Sequence, residues 1–120
     1  IRSEEEMRAS PYVGAIWETL VCAELRKRVA FSGSALPVFY FRERDREVDF
    51  LFHRGGRFDL LEAKWTQSPD EADTKNLRFV AERLGANNIS AMRVVCRAAT
   101  PHSLLHQVRA VPLSALGVAF

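Results

Sequence analysis

The sequence is poor in cysteine and histidine, and neither residue type is arranged as a metal site. Its two cysteines, Cys22 and Cys96, lie far apart within apolar stretches. They therefore exclude a disulfide framework and indicate buried thiols in a reducing compartment. The three histidines, His53, His102 and His106, are not spaced like zinc ligands, and no cysteine accompanies them. We expect a cytoplasmic protein without a zinc site.

Signals for membranes, secretion and nucleotide binding are also missing. No apolar run approaches the roughly 20 residues of a membrane-spanning helix, and no signal peptide is visible. The absence of a Walker-type glycine loop excludes ATP binding by that route, and no serine lies in a nucleophile elbow. The formal net charge is +2, which permits a nucleic-acid partner without arguing for one.

The composition is that of one globular domain. The chain has 120 residues, of which 48% are hydrophobic and 27% charged, enough apolar material for one core. Residues 1–9 are mostly charged and are interpreted as a linker or tail, which leaves 10–120 as the domain. Because the chain starts at Ile1 and not at a methionine, we expect it to be a piece of a longer protein.

A hairpin organises the chain. Gly55 and Gly56 supply the positive φ angles of a two-residue turn, so Arg54 is expected to face Arg57. Counting back along the two strands places Asp49 directly across from Glu62. The same register gives three further pairs: Glu47 with Lys64, Leu51 with Leu60, and His53 with Phe58.

This register places Asp49, Glu62 and Lys64 on one face of the hairpin, because side chains alternate along a strand. Two carboxylates directly across a ladder lie about 5 Å apart and repel each other. A hard cation between them resolves the conflict, and Mg²⁺ or Mn²⁺ suits carboxylate oxygens and a phosphate substrate. The opposite face is predicted to be a core face, formed by Val48, Phe50, Phe52, Leu61 and Ala63.

A structural interpretation of the same residues is also open. Glu47 and Glu62 could simply neutralise Lys64 on a solvated face of the sheet. Leu51 and Leu60 share that face, however, so we expect it to be at least partly covered.

The remaining pattern predicts an α/β domain with a mixed sheet. Its core order is helix, three antiparallel strands, helix and strand, and the strand–helix–strand crossover makes the fourth strand parallel to the third. The second helix is predicted to begin with a capping box, in which Ser68 is the N-cap, Pro69 follows it and Glu71 is the acid. The predicted elements are a helix at 11–29, strands at 36–41, 47–53 and 57–65, a helix ending at Gly85, a strand at 89–96, a loop at 98–103 and a short strand at 107–111.

Two acids on the first helix are candidates for the same site. Glu18 lies at the border of the apolar stripe, and Glu24 lies nearer its middle. Either one is an edge residue or a site residue that points back over the sheet.

Taken together, these motifs resemble the PD-(D/E)XK nuclease superfamily, which has the restriction-endonuclease-like fold. That resemblance implies that Asp49 and Glu62 are metal ligands, with the Ala63 carbonyl as a further ligand. It also implies that Lys64 is the catalytic lysine and that Glu18 is the acid from the first helix.

The resemblance is closer to one branch, a domain of unknown function at the C-terminus of bacterial and archaeal AAA-type ATPases. It covers most of residues 10–113, although Ala63 stands where that family more usually has valine. The matching segments are GAIWETLV at 14–21, FYFR at 39–42, EVDF at 47–50 and LEAK at 61–64.

Two functions follow from the resemblance, and a third interpretation follows from the bare pattern. The first is an Mg²⁺-dependent nuclease acting on DNA phosphodiesters, as the C-terminal module of an ATPase. The alternative is a catalytically inactive module of the same ATPase that binds DNA or protein. The remaining interpretation is a structural hairpin with a chance pair of carboxylates.

Overall fold

The computed structural model describes residues 12–32, 38–43 and 46–119. The predicted tail at 1–9, the helix start at Ser10–Pro11 and the first residues of the strand predicted at 36–41 lie outside this part of the chain. The side chains of Glu47 and Val48 also lie outside it. The predicted pairing of Glu47 with Lys64 therefore stays a prediction.

Two α-helices and one mixed sheet make up the described residues. The described strands form a six-stranded sheet in the order β1-β2-β3-β4-β6-β5. Short 3-10 turns occur at Glu71–Thr74, Ala86–Asn88, Leu105–Gln107 and Leu113–Ala119. In chain order the main elements are α1 (Val13–Ser32), β1 (Val38–Glu43), β2 (Arg46–Arg54), β3 (Arg57–Ala63), α2 (Lys75–Leu84), β4 (Ile89–Cys96), β5 (His102–Ser103) and β6 (Val108–Pro112).

The β2–β3 hairpin has the predicted turn and register. Gly55 and Gly56 adopt φ angles of 62° and 80°, values that a residue with a Cβ rarely adopts. Backbone pairing runs from Arg54 opposite Arg57 as far as Phe50 opposite Leu61. Asp49 and Glu62 occupy the next position along this register.

The crossover through α2 is also as predicted. Strand β4 pairs with β3 in parallel, and β6 pairs with β4 in parallel, whereas β1, β2 and β3 are antiparallel neighbours. The two-residue strand β5 pairs antiparallel with β6 and lies in the segment that was predicted to be a loop. So short a strand has no alternating pattern that the sequence could reveal.

Both faces of the sheet are covered, each by one helix. Helix α1 packs on the predicted core face, where Trp17, Val21 and Leu25 meet the side chains of Phe50, Phe52, Leu61 and Val95. Helix α2 packs on the other face, where Leu77 and Val80 meet Leu51 and Leu60. The face that carries Glu62 is therefore buried, not solvated, and Glu62 itself is only 3% exposed. The interpretation of this face as a solvated surface is wrong.

The start of α2 differs from the prediction. The N-cap is Asp70, not Ser68, and its partner in the capping box is Asp73, not Glu71. Asp70 accepts a hydrogen bond from the amide of Ala72, and the side chain of Asp73 accepts one from the amide of Asp70. The box caps a 3-10 turn that precedes α2, so the helical segment starts two residues later than the sequence pattern indicates. Gly85 ends α2 with a φ of 93°, as predicted.

Candidate active site

Asp49 is held against the strand that carries the other site residues. Its Oδ2 accepts a hydrogen bond from the amide of Ala63 at 2.8 Å. Backbone pairing between β2 and β3 ends at Phe50 and Leu61, so the Asp49 carboxylate satisfies an amide just past the end of this pairing. This contact places Asp49 beside the Glu62–Ala63 peptide, and the predicted placement of Asp49 directly across from Glu62 stays a prediction.

Glu62 is a buried carboxylate with a partner on α2. Its Oε1 accepts a hydrogen bond from Nδ2 of Asn76 at 3.3 Å. A buried charge costs several kcal/mol unless hydrogen bonds or opposite charges compensate for it. Sequence reasoning missed Asn76, because its role depends on how α2 crosses the sheet and no local pattern indicates that crossing.

Lys64 directly follows β3 and stays in line with the sheet. Its amide donates to the carbonyl of Val95 at 2.9 Å, which extends the parallel ladder past Ala63. Ala63 and Trp65 both pack in the cluster under α1. Because side chains alternate, Lys64 between them is directed to the α2 face, which also carries Glu62. Asp49 contacts the Ala63 amide, and Glu62, Ala63 and Lys64 follow one another at the end of β3.

Glu18, the predicted acid from the first helix, lies on α1. This helix covers the opposite face of the sheet, and Glu18 lines a shallow groove with Thr19, Cys22 and Arg26. Its neighbour Trp17 does reach the end of β4, where the indole N–H donates to the carbonyl of Val95 at 3.1 Å. In the part of the chain that the structure describes, no three His, Cys, Asp or Glu side chains are grouped so that they could hold one metal ion. The role of Glu18 as a third acid stays a prediction.

The rival acid, Glu24, has a partner on its own helix. Its Oε1 lies 2.9 Å from Nε of Arg28, one helical turn away. Ion pairs of this kind on a helix surface contribute only a few tenths of a kcal/mol. The contact nevertheless holds the Glu24 carboxylate along α1, and it explains the position of this side chain without a role in the site.

The donor set at the end of β3 fits a hard divalent cation. Mg²⁺ is held in proteins by one or two carboxylates and keeps several waters for contact with phosphate oxygens. Asp49 and Glu62 provide two carboxylates, and the Ala63 carbonyl is a candidate third oxygen. The contact between the Asp49 carboxylate and the Ala63 amide uses Oδ2, and a carboxylate oxygen can accept more than one bond.

The cysteines take no part in this arrangement. Both are free thiols. Cys96 is fully buried under α2, and burial raises its pKa above the ordinary value, with the Asp73 carboxylate adding to the increase. Cys22 is only half-buried, on α1. The prediction of buried thiols is therefore confirmed for Cys96 and only in part for Cys22.

The fold and this edge define an α/β domain with two carboxylates and a lysine at the end of a central strand. Comparison with protein families matches residues 13–116 to a domain of unknown function, DUF4143, and the chain belongs to that family. Neither the curated proteins nor the solved structures yielded a match. Within the described residues, neither helix is long and apolar enough to cross a bilayer.

Proposed function

We propose that this domain is a metal-dependent phosphodiesterase of the PD-(D/E)XK type that acts on DNA. The observation that carries the proposal is the contact of the Asp49 carboxylate with the Ala63 amide at 2.8 Å. It supports the proposal because the resemblance calls for an aspartate beside a Glu-x-Lys segment on the adjacent strand. The restriction-endonuclease-like fold and a position C-terminal to an AAA-type ATPase domain belong to the same proposal.

In such a mechanism Asp49 and Glu62 would hold the cation, and Asn76 would orient Glu62 through its side-chain amide. A divalent cation supplies Lewis-acid polarisation of the phosphodiester. The Lys64 ammonium donates hydrogen bonds to a non-bridging phosphate oxygen or orients the attacking water, and it stabilises the negative charge that develops. Glu62 is buried and Asp49 and Lys64 are partly buried, and reduced contact with water strengthens each of these interactions.

Metal binding is the first test. Calorimetric titration of the chain with Mg²⁺ and with Mn²⁺ should show binding that is lost in Asp49→Asn, because the amide keeps the shape and removes the charge. Glu82→Gln is the matched control, since it removes one negative charge from the exposed surface of α2. Binding that is equal in wild type and Asp49→Asn would contradict the proposed ligand set.

A second candidate function is a module that binds DNA or protein without catalysis. Both carboxylates already have partners within the protein, Asp49 on the Ala63 amide and Glu62 on the Asn76 side chain. Their positions are thus explained without a metal ion. Titration with duplex, branched and single-stranded DNA over a range of salt concentrations distinguishes a DNA-binding module from a protein-binding one. A negative slope of log affinity against log salt indicates a DNA binder, and no binding to any DNA indicates a protein partner such as the ATPase domain.

A further inference from the structure

The end of the β3–β4 pair carries an arginine held on a stack of aromatic rings. The guanidinium carbon of Arg97 lies 3.9 Å from the centroid of the Trp65 ring. Trp65 in turn meets Trp17 edge-to-face, with ring centroids 5.5 Å apart and planes at 66°. Trp17 is fastened by its indole hydrogen bond to the Val95 carbonyl. Three side chains from α1, the end of β3 and the end of β4 therefore form one stack.

The backbone holds this stack next to Lys64. The amide of Lys64 donates to Val95 at 2.9 Å, and the amide of Arg97 donates to the carbonyl of Thr66 at 2.7 Å. These bonds keep the segment after β3 alongside the end of β4. Trp65 packs under α1 and Lys64 is directed to the α2 face. Arg97, stacked on Trp65, therefore lies on the opposite face from Lys64, only a few residues away along the ladder.

One N–H donor of the Arg97 guanidinium is unused within the described chain. Its Nε is buried and makes no hydrogen bond there. Leaving a buried N–H donor without an acceptor costs about 1–3 kcal/mol of folding free energy. Stacking on an indole ring stabilises the positive charge of the guanidinium but accepts no hydrogen bond from its N–H groups. A planar guanidinium clamped on one side by a ring is suited to binding an oxyanion such as phosphate.

We propose that Arg97 is a contact for the backbone phosphate of nucleic acid that crosses the end of β3 and β4. Lys64 acts on the phosphate at one face of the sheet, and Arg97 binds a neighbouring phosphate of the same strand at the other face. Trp65 and Trp17 position the guanidinium. This assignment rests on the proposed function for the identity of the ligand, but Arg97 takes no part in the cleavage step.

The test combines a salt titration with tryptophan fluorescence. The chain has two tryptophans, and both belong to the stack, so its intrinsic fluorescence reports on this location. Binding of a duplex oligonucleotide in EDTA should change the emission. In Arg97→Gln the slope of log affinity against log salt should become shallower by about 0.9, the value for one phosphate contact on duplex DNA. Arg97→Lys keeps the charge and loses the stacked geometry, so it should retain the slope and lose most of the emission change.

Arg83→Gln is the matched control. Arg83 also lies over an aromatic ring, at 5.2 Å from the Phe79 centroid, but near the far end of α2. Its substitution should leave both the salt slope and the emission change as in wild type. Titration with inorganic phosphate at constant ionic strength separates a free anion from a nucleic-acid backbone. An emission change with phosphate alone and none with DNA would overturn the assignment to nucleic acid.

The remaining outcomes separate this assignment from the proposed function. A salt slope in Arg97→Gln equal to that of wild type, with or without a lower melting temperature, would show that Arg97 only packs on Trp65. Absence of DNA binding by the wild-type chain would also overturn the assignment. Wild-type DNA binding without cleavage in Mg²⁺ would instead count against the phosphodiesterase, and the salt slope would still decide the role of Arg97.

Discussion

The carboxylate of Asp49 accepts a hydrogen bond from the backbone amide of Ala63 on the neighbouring strand. This bond lies just past the last backbone pair of the hairpin, Phe50 with Leu61. A side chain thus takes over from the backbone ladder where the pairing of β2 with β3 ends. The consequence is that Asp49 is held against the residue between Glu62 and Lys64.

Replacing Lys64 should remove cleavage and leave the fold intact. We expect Lys64→Ala to lower the rate of DNA cleavage in Mg²⁺ by about 10²-fold or more, the usual cost of removing one group that stabilises developing charge. Lys64 lies at the end of β3 and is only partly buried, so the melting temperature of the Lys64→Ala variant should be close to that of wild type. Lys75→Ala, at an exposed position on α2, is the control and should cleave as wild type does. Equal rates in both variants would exclude Lys64 from the mechanism.

Asn76 should contribute to stability through Glu62. Asn76→Ala removes the donor that lies 3.3 Å from the buried Glu62 carboxylate, so we expect a loss of about 1–3 kcal/mol in unfolding free energy. Asn76→Asp should cost more at neutral pH because it places two carboxylates together, and the extra cost should shrink in acid as one of them is protonated. Chemical denaturation at several pH values measures both effects. Asn87→Ala, at an exposed position, is expected to be neutral, and a loss as large as that of Asn76→Ala would refute the role of the hydrogen bond.

The hairpin turn should be sensitive to side chains for conformational reasons alone. A Cβ added at Gly55 or Gly56 would meet no atom within 4 Å, but their φ angles are 62° and 80°. We therefore expect Gly55→Ala to cost about 1–2 kcal/mol, and Gly55→Asn to cost less because asparagine tolerates this region. Gly14→Ala is the contrasting variant, since Gly14 lies in α1 with open space around it. Thermal unfolding should show no loss of stability there.

The two thiols should differ in reactivity. Burial raises the pKa of Cys96, so less thiolate forms at a given pH, and the side chain is enclosed under α2. Alkylation of the native chain, followed by mass spectrometry of peptides, should modify half-buried Cys22 first and Cys96 only after unfolding. The unfolding free energy should fall as the pH rises through and above 9.0, the ordinary pKa of the thiol, because the unfolded thiol ionises more readily than the folded one. Modification of native Cys96 as fast as Cys22 would contradict the buried environment.

The outcome for the acids on α1 illustrates a limit of sequence reasoning. Helical periodicity predicts that Glu18 and Glu24 lie near the apolar stripe of the first helix. It does not predict how that helix is positioned relative to the hairpin. In the structure Glu24 is paired with Arg28, and Glu18 lines a groove on α1. The direction of a helix across a sheet depends on packing between residues far apart in sequence, which periodicity does not encode.

The hairpin, its register and the faces of its side chains follow from local sequence, because they depend on two glycines and on strict alternation between neighbouring residues. The parallel crossover follows as well, since a helix between two strands leaves few other connections. Three contacts depend instead on packing between elements: the support of Glu62 by Asn76, the cap by Asp70 and not Ser68 before α2, and the stacking of Arg97 on Trp65. Two of these contacts join residues on different elements, and the cap depends on where the chain after β3 meets α2. They form only when both faces of the sheet are covered, which is a property of packing and not of local pattern.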